Sequence, residues 1–359
     1  MIPAWKLQRE LQRLGQQLRA IPEFLYEPFL QRAHDRRFAR GLPMTEGALP
    51  VSGRVALLLV FAPAGLPESV LLTCAHLQAR GYAPLIVSNA PLGQPDLDRL
   101  KPLVWRIVER PNYGYDFGGY RDGILSLKLW GIMPDRLLIL NDSVWFPLAP
   151  DETLIARLEG LETDIAGTIL REKGEIRFLE SYCYLVSGAA FAAPAFQDFW
   201  QGMKLTGNKY KVIRRSERGH SVAMAQAGMT LRPAYPKQEF LELLAARDDA
   251  FLRLTLIHAA YAEAALEAER DRLIAGPEGA GWRIAADAHV DKVLERGQFY
   301  SSFPFATVRL LGYPILKKSS DRVSLMWRRA YLRAVEAGDL SAPPAPILAE
   351  IRARTPFAG

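Results

Sequence analysis

Between Arg54 and Asn141 the chain alternates four short apolar runs with polar segments of helix length, and this alternation most constrains its fold. Val55–Phe61 (VALLLVF) holds no polar residue and is closed by Ala62-Pro63-Ala64-Gly65. Pro84–Val87 ends in Ser88-Asn89, Leu103–Val108 enters a glycine-rich turn, and Arg136–Leu140 ends in Asn141-Asp142-Ser143. Glu68–Arg80, stopped by Gly81, the short Asp96–Lys101 and the amphipathic Tyr120–Trp130 read as the intervening helices. Strands that are apolar on both faces are buried on both, so the expected fold is α/β, a mostly parallel sheet flanked by helices. Such sheets bind ligands beyond the C-terminal ends of their strands. Asn89, Asn112, Asp116 and Asn141-Asp142 all fall there.

Arg110–Gly123 (RPNYGYDFGGYRDG) reads as a turn into a helix start. Gly114, Gly118 and Gly119 permit positive φ and close approach of a ligand. The first amides of the following helix favour an anion such as a diphosphate. The plainer account is a glycine-rich connection with Asp116 capping the helix. The polar end of the next strand favours a site.

A chain of 359 residues is long enough for one large domain with appendages, or for two domains. Cys74 and Cys183, far apart and in apolar contexts, read as buried free thiols of a reducing compartment. The N-terminus has charges in place of an apolar leader core, and no run reaches ~18 apolar residues, so a cytoplasmic protein is expected. The net charge is +6. Within residues 1–50, eight basic side chains face five acidic ones. That balance suits an anionic substrate or an anionic membrane face. Interleaved acids and the lack of a recognition motif weigh against nucleic acid. Leu7, Leu11, Leu14, Leu18 and Ile21 lie at helical spacing, which reads as a packed helix or as one lying on a membrane surface.

The expected organisation is an N-terminal helical extension over 1–50, with a linker at Gly41–Gly53, followed by the ligand-binding domain over 51–238. A helical region over 239–340 and a tail over 341–359, beyond a Pro-rich break, complete it. After Pro150 the alternation breaks. Helices are expected at Glu152–Leu158, near Ala195–Met203 and at Val222–Gly228. Strands are expected at Ile165–Ile169, within Ile176–Val186 and at Met229–Arg232, around a polar, basic stretch at Gly207–Ser221. Five histidines and two cysteines show no metal-ligand spacing, which argues against zinc.

These blocks resemble the GT-A glycosyltransferases, and more specifically the rhamnan-synthesis protein F family of bacterial polysaccharide glycosyltransferases. The likeness lies in Ser88-Asn89, in NYGYD at 112–116, in Asn141-Asp142-Ser143, in ESYCYLVSGAAF (180–191) and in GYPILKKS (312–319), across roughly 54–320. It implies a GT-A-like, Rossmann-type sheet with N- and C-terminal helical appendages. It also implies a nucleotide-diphosphate sugar donor such as deoxythymidine-diphospho-rhamnose, and a growing glycan as acceptor, lipid-linked at the inner membrane face. Carried onto this chain, the donor is oriented by Asn89, Asn112, Asp116 and Asp142. Its diphosphate is met by the Gly114–Gly119 turn, Gly118 included, and by Arg214 or Arg215, with Arg121 a weaker candidate. An inverting enzyme needs a base, for which Glu217 is in the corresponding place and Glu180 is the competitor. The usual strand end has two acids flanking one residue and holds a divalent metal. Here Asn141 and Ser143 flank a lone acid, Asp142. Either Asp142 anchors Mg²⁺ or Mn²⁺ with help from the phosphates, or helix amides and cations act without a metal.

Each residue also has an ordinary reading. Glu217 pairs with Arg214 or Arg218 at the surface, Glu180 pairs with Arg177, and His220 is structural. Tyr113, Tyr115, Phe117 and Tyr120 pack the core, or one of them stacks on a base. At the level of function the alternative is a non-catalytic glycan- or nucleotide-sugar-binding assembly protein, which the weakened acidic motif keeps open. A dehydrogenase is disfavoured because no G-x-G-x-x-G follows the first strand.

Overall fold

The computed structural model describes residues 15, 26–277 and 279–356, without the side chains of residues 210, 213, 214 and 280. The stripe from Leu7 to Ile21 lies outside the described residues. The chain forms two units, Met1–Asp142 with Leu161–Pro233, and Ser143–Gly160 with Ala234–Gly359. The stretch expected as one domain over 51–238 therefore gives up Ser143–Gly160 and residues 234–238 to the second unit.

The first unit is built on an eight-stranded sheet. Its strands are β1 (Met44–Glu46), β2 (Arg54–Val60), β3 (Ala83–Ser88), β4 (Arg106–Glu109), β5 (Arg136–Asn141), β6 (Ile165–Gly167), β7 (Cys183–Ser187) and β8 (Leu231–Pro233), in the order β1-β4-β3-β2-β5-β7-β6-β8. The central four, β4 to β5, are mutually parallel. β7 opposes both β5 and β6, and β8 is parallel to β6, so six strands point one way. Helices α2 (Glu68–Ala79), α3 (Gln94–Leu100) and α4 (Tyr115–Leu129) connect the parallel strands, as a parallel sheet requires. β2, β3 and β5 are buried almost throughout. Residues 26–39 form a further helix, α1. Two more, α5 (Pro194–Gly202) and α6 (Gly219–Gln226), cover the β7 side.

Several boundaries differ from expectation, each for a local reason. The supposed linker contains β1, which pairs antiparallel with β4 and sets Glu46 against Arg106 at 2.9 Å. The third strand starts later than Leu103 because Lys101–Leu103, with Pro102 inside, forms a 3-10 turn. α4 starts within the glycine-rich segment, five residues before Tyr120. Leu170–Lys173 pairs with Ile176–Leu179 in a hairpin turned at Gly174, whose φ is 61°. The basic stretch is helical: Lys209–Val212, a π-helical turn Ile213–Arg218, then α6.

The second unit is helical apart from a ribbon pairing Val144–Trp145 with Leu316–Lys317. Arg328 is fully buried within it. Its guanidinium donates to the carbonyls of Lys317 (2.9 Å), Ser319 (2.6 Å) and Arg354 (3.1 Å) and to Thr355 Oγ1 (3.1 Å). The expected tail is part of this core. Ala345–Ala353 is a helix with Pro346 in its first turn, and Ile347 and Ile351 are buried. Cys74 and Cys183 are free and buried, and burial pushes the Cys74 thiol up to about 12.

Candidate functional site

Parallel strands end on one edge, and that edge carries Phe61, Asn89, Arg110 and Asn141-Asp142. Between β4 and α4 the backbone turns sharply. Gly114, the residue before the helix, has φ 85°, and Tyr115 has φ 51°. A Cβ at Gly114 would also stand 2.8 Å from Leu205 Cδ2, a contact that a shift of the leucine side chain could relieve, so the positive φ is the main reason for glycine. Positive φ at a tyrosine costs of order 1–3 kcal/mol and persists only where the surroundings impose it. Here the Tyr115 hydroxyl donates to the Gly207 carbonyl at 2.9 Å, and its own carbonyl accepts from Asn89 Nδ2 at 3.3 Å. As at any helix start, the amides of the first turn lack intrahelical acceptors.

A buried polar network fixes this turn from below. Arg110 donates from Nε to Asp122 Oδ2 (2.6 Å), from Nη1 to Asn89 Oδ1 (2.5 Å) and from Nη2 to the Tyr113 carbonyl (2.5 Å). Asn89 Nδ2 in turn donates to Asn112 Oδ1 at 3.1 Å. His34 Nε2 lies 3.0 Å from Asp122 Oδ2. Burial alone would raise the Asp122 carboxyl, but the His34 hydrogen bond and the Arg110 charge hold it below the ordinary carboxylate range. Asn89 and Asn112 thus arrive at the edge already oriented.

Three carboxylates gather above. Asp116, half-buried in the first turn of α4, accepts from Asn141 Nδ2 at 3.1 Å. Its carboxyl is pushed up to about 6, chiefly by burial and next by the charge of Asp142, with Glu217 adding and Lys209 opposing. Asp142 donates its amide to the Leu59 carbonyl at 2.9 Å and accepts the Phe61 amide on Oδ2 at 2.9 Å. Glu217 accepts from both the amide (3.2 Å) and the hydroxyl (2.9 Å) of Ser181. It stands in the π-helical turn, a distortion that recurs at functional sites.

Asn89, Asn112, Gly114, Asp116, Asp142 and Glu217 are thereby brought to one region of the first unit. Other candidates are placed differently. Gly118 and Gly119 are buried, and packing accounts for their lack of side chains. A Cβ at Gly118 would stand 2.2 Å from the Tyr113 carbonyl, and one at Gly119 would stand 2.1 Å from Leu59 Cδ1. Arg121 is buried against Asp35 (2.9 Å) and the Trp200 carbonyl (3.1 Å), which makes it structural. Arg215 is half-exposed, 3.8 Å from Glu27 Oε2. Arg214 lies outside the residues whose side chains are described. Glu180 is buried and bonded to Arg171 at 3.2 Å, while Arg177 pairs with Glu172 instead. His220 sits among Tyr184, Phe196, Phe199 and Trp200, and burial pushes it down to about 3, so it is neutral and structural.

Sequence reasoning missed Arg110, Ser181, Lys209 and the His34–Asp122 pair. Arg110 directly follows the third strand, and that position was its one available signal. Lys209 was hidden in a generally basic stretch. Nothing local links His34 to a residue 88 positions away.

Fold and strand-end chemistry together define an α/β protein whose parallel edge presents converging carboxylates beside a helix N-terminus. The family model for rhamnan synthesis protein F matches residues 85–235, which hold most of β3, all of β4 to β8, and Asp116, Asp142 and Glu217. The protein y4gN of Sinorhizobium fredii (strain NBRC 101917 / NGR234) is 32% identical over 340 residues, covering 92% of this chain and 88% of its own length. The chain belongs to the rhamnan synthesis protein F family. Among solved structures, the mannosyltransferase PcManGT from Pyrobaculum calidifontis, in complex with GDP-Man and Mn²⁺, aligns at 13% identity with a TM-score of 0.28. That alignment covers 90% of this chain and 97% of the mannosyltransferase, a likeness too distant to inform substrate or mechanism.

Proposed function

We propose that the chain is an inverting glycosyltransferase of the GT-A type. It moves a sugar, rhamnose by the family's name, from a nucleoside-diphosphate donor to a growing bacterial surface polysaccharide. One observation carries this reading: Asp116, Asp142 and Glu217 converge where a parallel sheet binds ligands, and burial, with the charges of Asp142 and Glu217 added, pushes the Asp116 carboxyl up. Asn89 and Asn112 orient the donor together with Asp116. The turn at Gly114 with the free amides of the first turn of α4, and the basic residues Lys209 and Arg215, meet the developing charge on the diphosphate. Glu217 takes the proton of the acceptor hydroxyl as its oxygen bonds to the anomeric carbon. The bond to the diphosphate breaks, and the diphosphate leaves with the electron pair. Glu180 is the second candidate for the base.

Among the described residues no three His, Cys, Asp or Glu side chains form a ready metal site. The donor set is one strand-end carboxylate, Asp142, next to an easily protonated one, Asp116. That set fits Mg²⁺ or Mn²⁺ keeping several waters and drawing its other ligands from the diphosphate. Bound there, the metal would neutralise the leaving group. None of the described helices is long and apolar enough to cross a membrane. The use of a nucleotide-sugar donor is what favours a cytoplasmic location on this reading.

The test is release of nucleoside diphosphate from a panel of nucleotide sugars, with Mg²⁺, Mn²⁺ or chelator. Turnover of at least one donor is expected. Donor binding without turnover under every condition would replace the proposal with the non-catalytic assembly protein. Absence of donor binding would end the transferase reading and leave of the alternative only a glycan-binding assembly protein.

A further inference from the structure

Helix α1 is amphipathic in the reverse of the usual sense. Its polar face docks on the first unit. Glu27 Oε1 receives Thr206 Oγ1 (2.5 Å) and Lys211 Nζ (2.9 Å), and Gln31 Oε1 receives the Leu205 amide (2.7 Å). His34 meets Asp122, and Asp35 meets Arg121. The opposite face, generated by the 3.6-residue period, starts with Tyr26, Phe29 and Leu30, which are 48%, 66% and 45% exposed. It continues through Ala33 to Arg36, Arg37 and Arg40, all exposed, with the Arg32 guanidinium 5.6 Å from the Phe29 ring centroid. Both carboxylates of the helix, Glu27 and Asp35, are engaged on the docked side. A surface helix ordinarily buries its apolar stripe and exposes its polar one. Single exposed apolar residues need no explanation, but three neighbouring ones on a helix held by its polar contacts do.

We propose that this face of α1 lies on an anionic lipid bilayer. Tyr26, Phe29 and Leu30 enter the boundary between headgroups and acyl chains, and Arg32, Arg36, Arg37 and Arg40 meet the lipid phosphates. A second copy of the chain is a poorer occupant. A symmetric contact would set this face against itself and bury four arginines with no outward carboxylate to receive them. The same objection holds for a neutral partner. The inference goes beyond the sugar-transfer reading and does not depend on it, since binding is read without donor. If both hold, the enzyme works where a lipid-linked acceptor is presented.

The experiment is co-sedimentation of the full chain with vesicles of phosphatidylcholine alone or mixed with phosphatidylglycerol, at low and high salt. Wild type is expected to bind the mixed vesicles selectively and to be released by salt. Arg36→Gln with Arg37→Gln should lower partitioning about thirtyfold, at roughly fivefold per basic residue. Phe29→Ser with Leu30→Ser should lower it at least about tenfold on the apolar area lost. Unchanged melting temperatures are expected, because these side chains support nothing beneath them. Equal binding to neutral vesicles, or binding by both double variants at the wild-type level, would overturn the proposal. So would loss of binding only when Lys6, Arg9 and Arg13 are replaced. Concentration-dependent dimerisation abolished by Phe29→Ser with Leu30→Ser would assign the face to a second copy instead.

Discussion

Replacing Asp116 by asparagine should make the ligand-free protein more stable at neutral pH. The wild-type carboxyl titrates at about 6 against an ordinary 3.8, so ionising it in the folded state is unfavourable. Below pH 4 both folded and unfolded chains hold the proton, and the site costs nothing. Between about 4 and 6 the folded state holds more protons than the unfolded one, so stability falls as pH rises; above about 6 the loss is complete. Two units at 1.36 kcal/mol each set an upper value of about 3 kcal/mol, and partial exposure reduces it to about 1–3 kcal/mol. Asp116→Asn keeps an acceptor for Asn141 Nδ2, so the lost charge is the main change. Urea unfolding of wild type and variant from pH 4 to 8 measures the difference. It should be near zero at pH 4, grow towards pH 6 and then level off. A difference that is constant with pH, or a variant less stable than wild type at pH 7.5, would refute the claim that repulsion and burial act on Asp116.

Asp142→Asn keeps the acceptor for the Phe61 amide and should leave the fold intact while removing most donor turnover; wild-type turnover would sink its donor role, and indifference of the wild type to chelator would favour a metal-free route. Glu217→Gln should lower turnover by ~100-fold or more with donor affinity nearly unchanged, whereas full activity in this variant and its loss in Glu180→Gln would move the base to Glu180. Asp122→Asn leaves Arg110 buried without its carboxylate and should cost about 3–5 kcal/mol in urea unfolding, with donor affinity falling because Asn89 loses its anchor. Gly118→Ala should destabilise by about 1–3 kcal/mol, since the added methyl meets the Tyr113 carbonyl, and unchanged stability would contradict the packing of that turn.

The central sheet was legible because each parallel strand is a run of apolar residues bounded by turn residues, a local signal that needs no partner. The strand-end candidates Asn89, Asn112, Asp116 and Asp142 followed from topology alone, since a parallel sheet opens at one edge. What escaped depended on distant partners. β1 has only three residues and exists because β4 offers an edge. Asn89 is oriented by Arg110, which is in turn held by Asp122, and no spacing rule joins those three. The glycines of α4 looked like ligand-facing positions because a turn glycine and a packing glycine are identical in sequence. Only what packs against them, the Tyr113 carbonyl at Gly118 and Leu59 at Gly119, distinguishes them. The tail beyond Leu340 looked peripheral on composition, yet Trp145 Nε1 donates to Glu350 Oε2 at 2.9 Å across 205 residues.

The charge arrangement at the strand-end edge bears on how a donor arrives. Asp116, Asp142 and Glu217 together repel a diphosphate as they repel one another, and Lys209 is the cation that acts on Asp116. An anionic donor therefore gains nothing from this edge unless positive charge comes with it. Two sources exist on the proposed reading: a divalent cation shared between Asp142 and the diphosphate, and the basic stretch that carries Lys209 and Arg215. They differ in their response to acid. Protonating Asp116 below pH 6 removes one negative charge from the edge, which helps a donor held by arginines and lysines. Competition of protons with a metal at Asp142 weakens a donor held through Mg²⁺. Donor affinity that rises between pH 7 and pH 5.5 points to the basic stretch, and affinity that falls over the same range, with a steeper fall at low Mg²⁺, points to the metal.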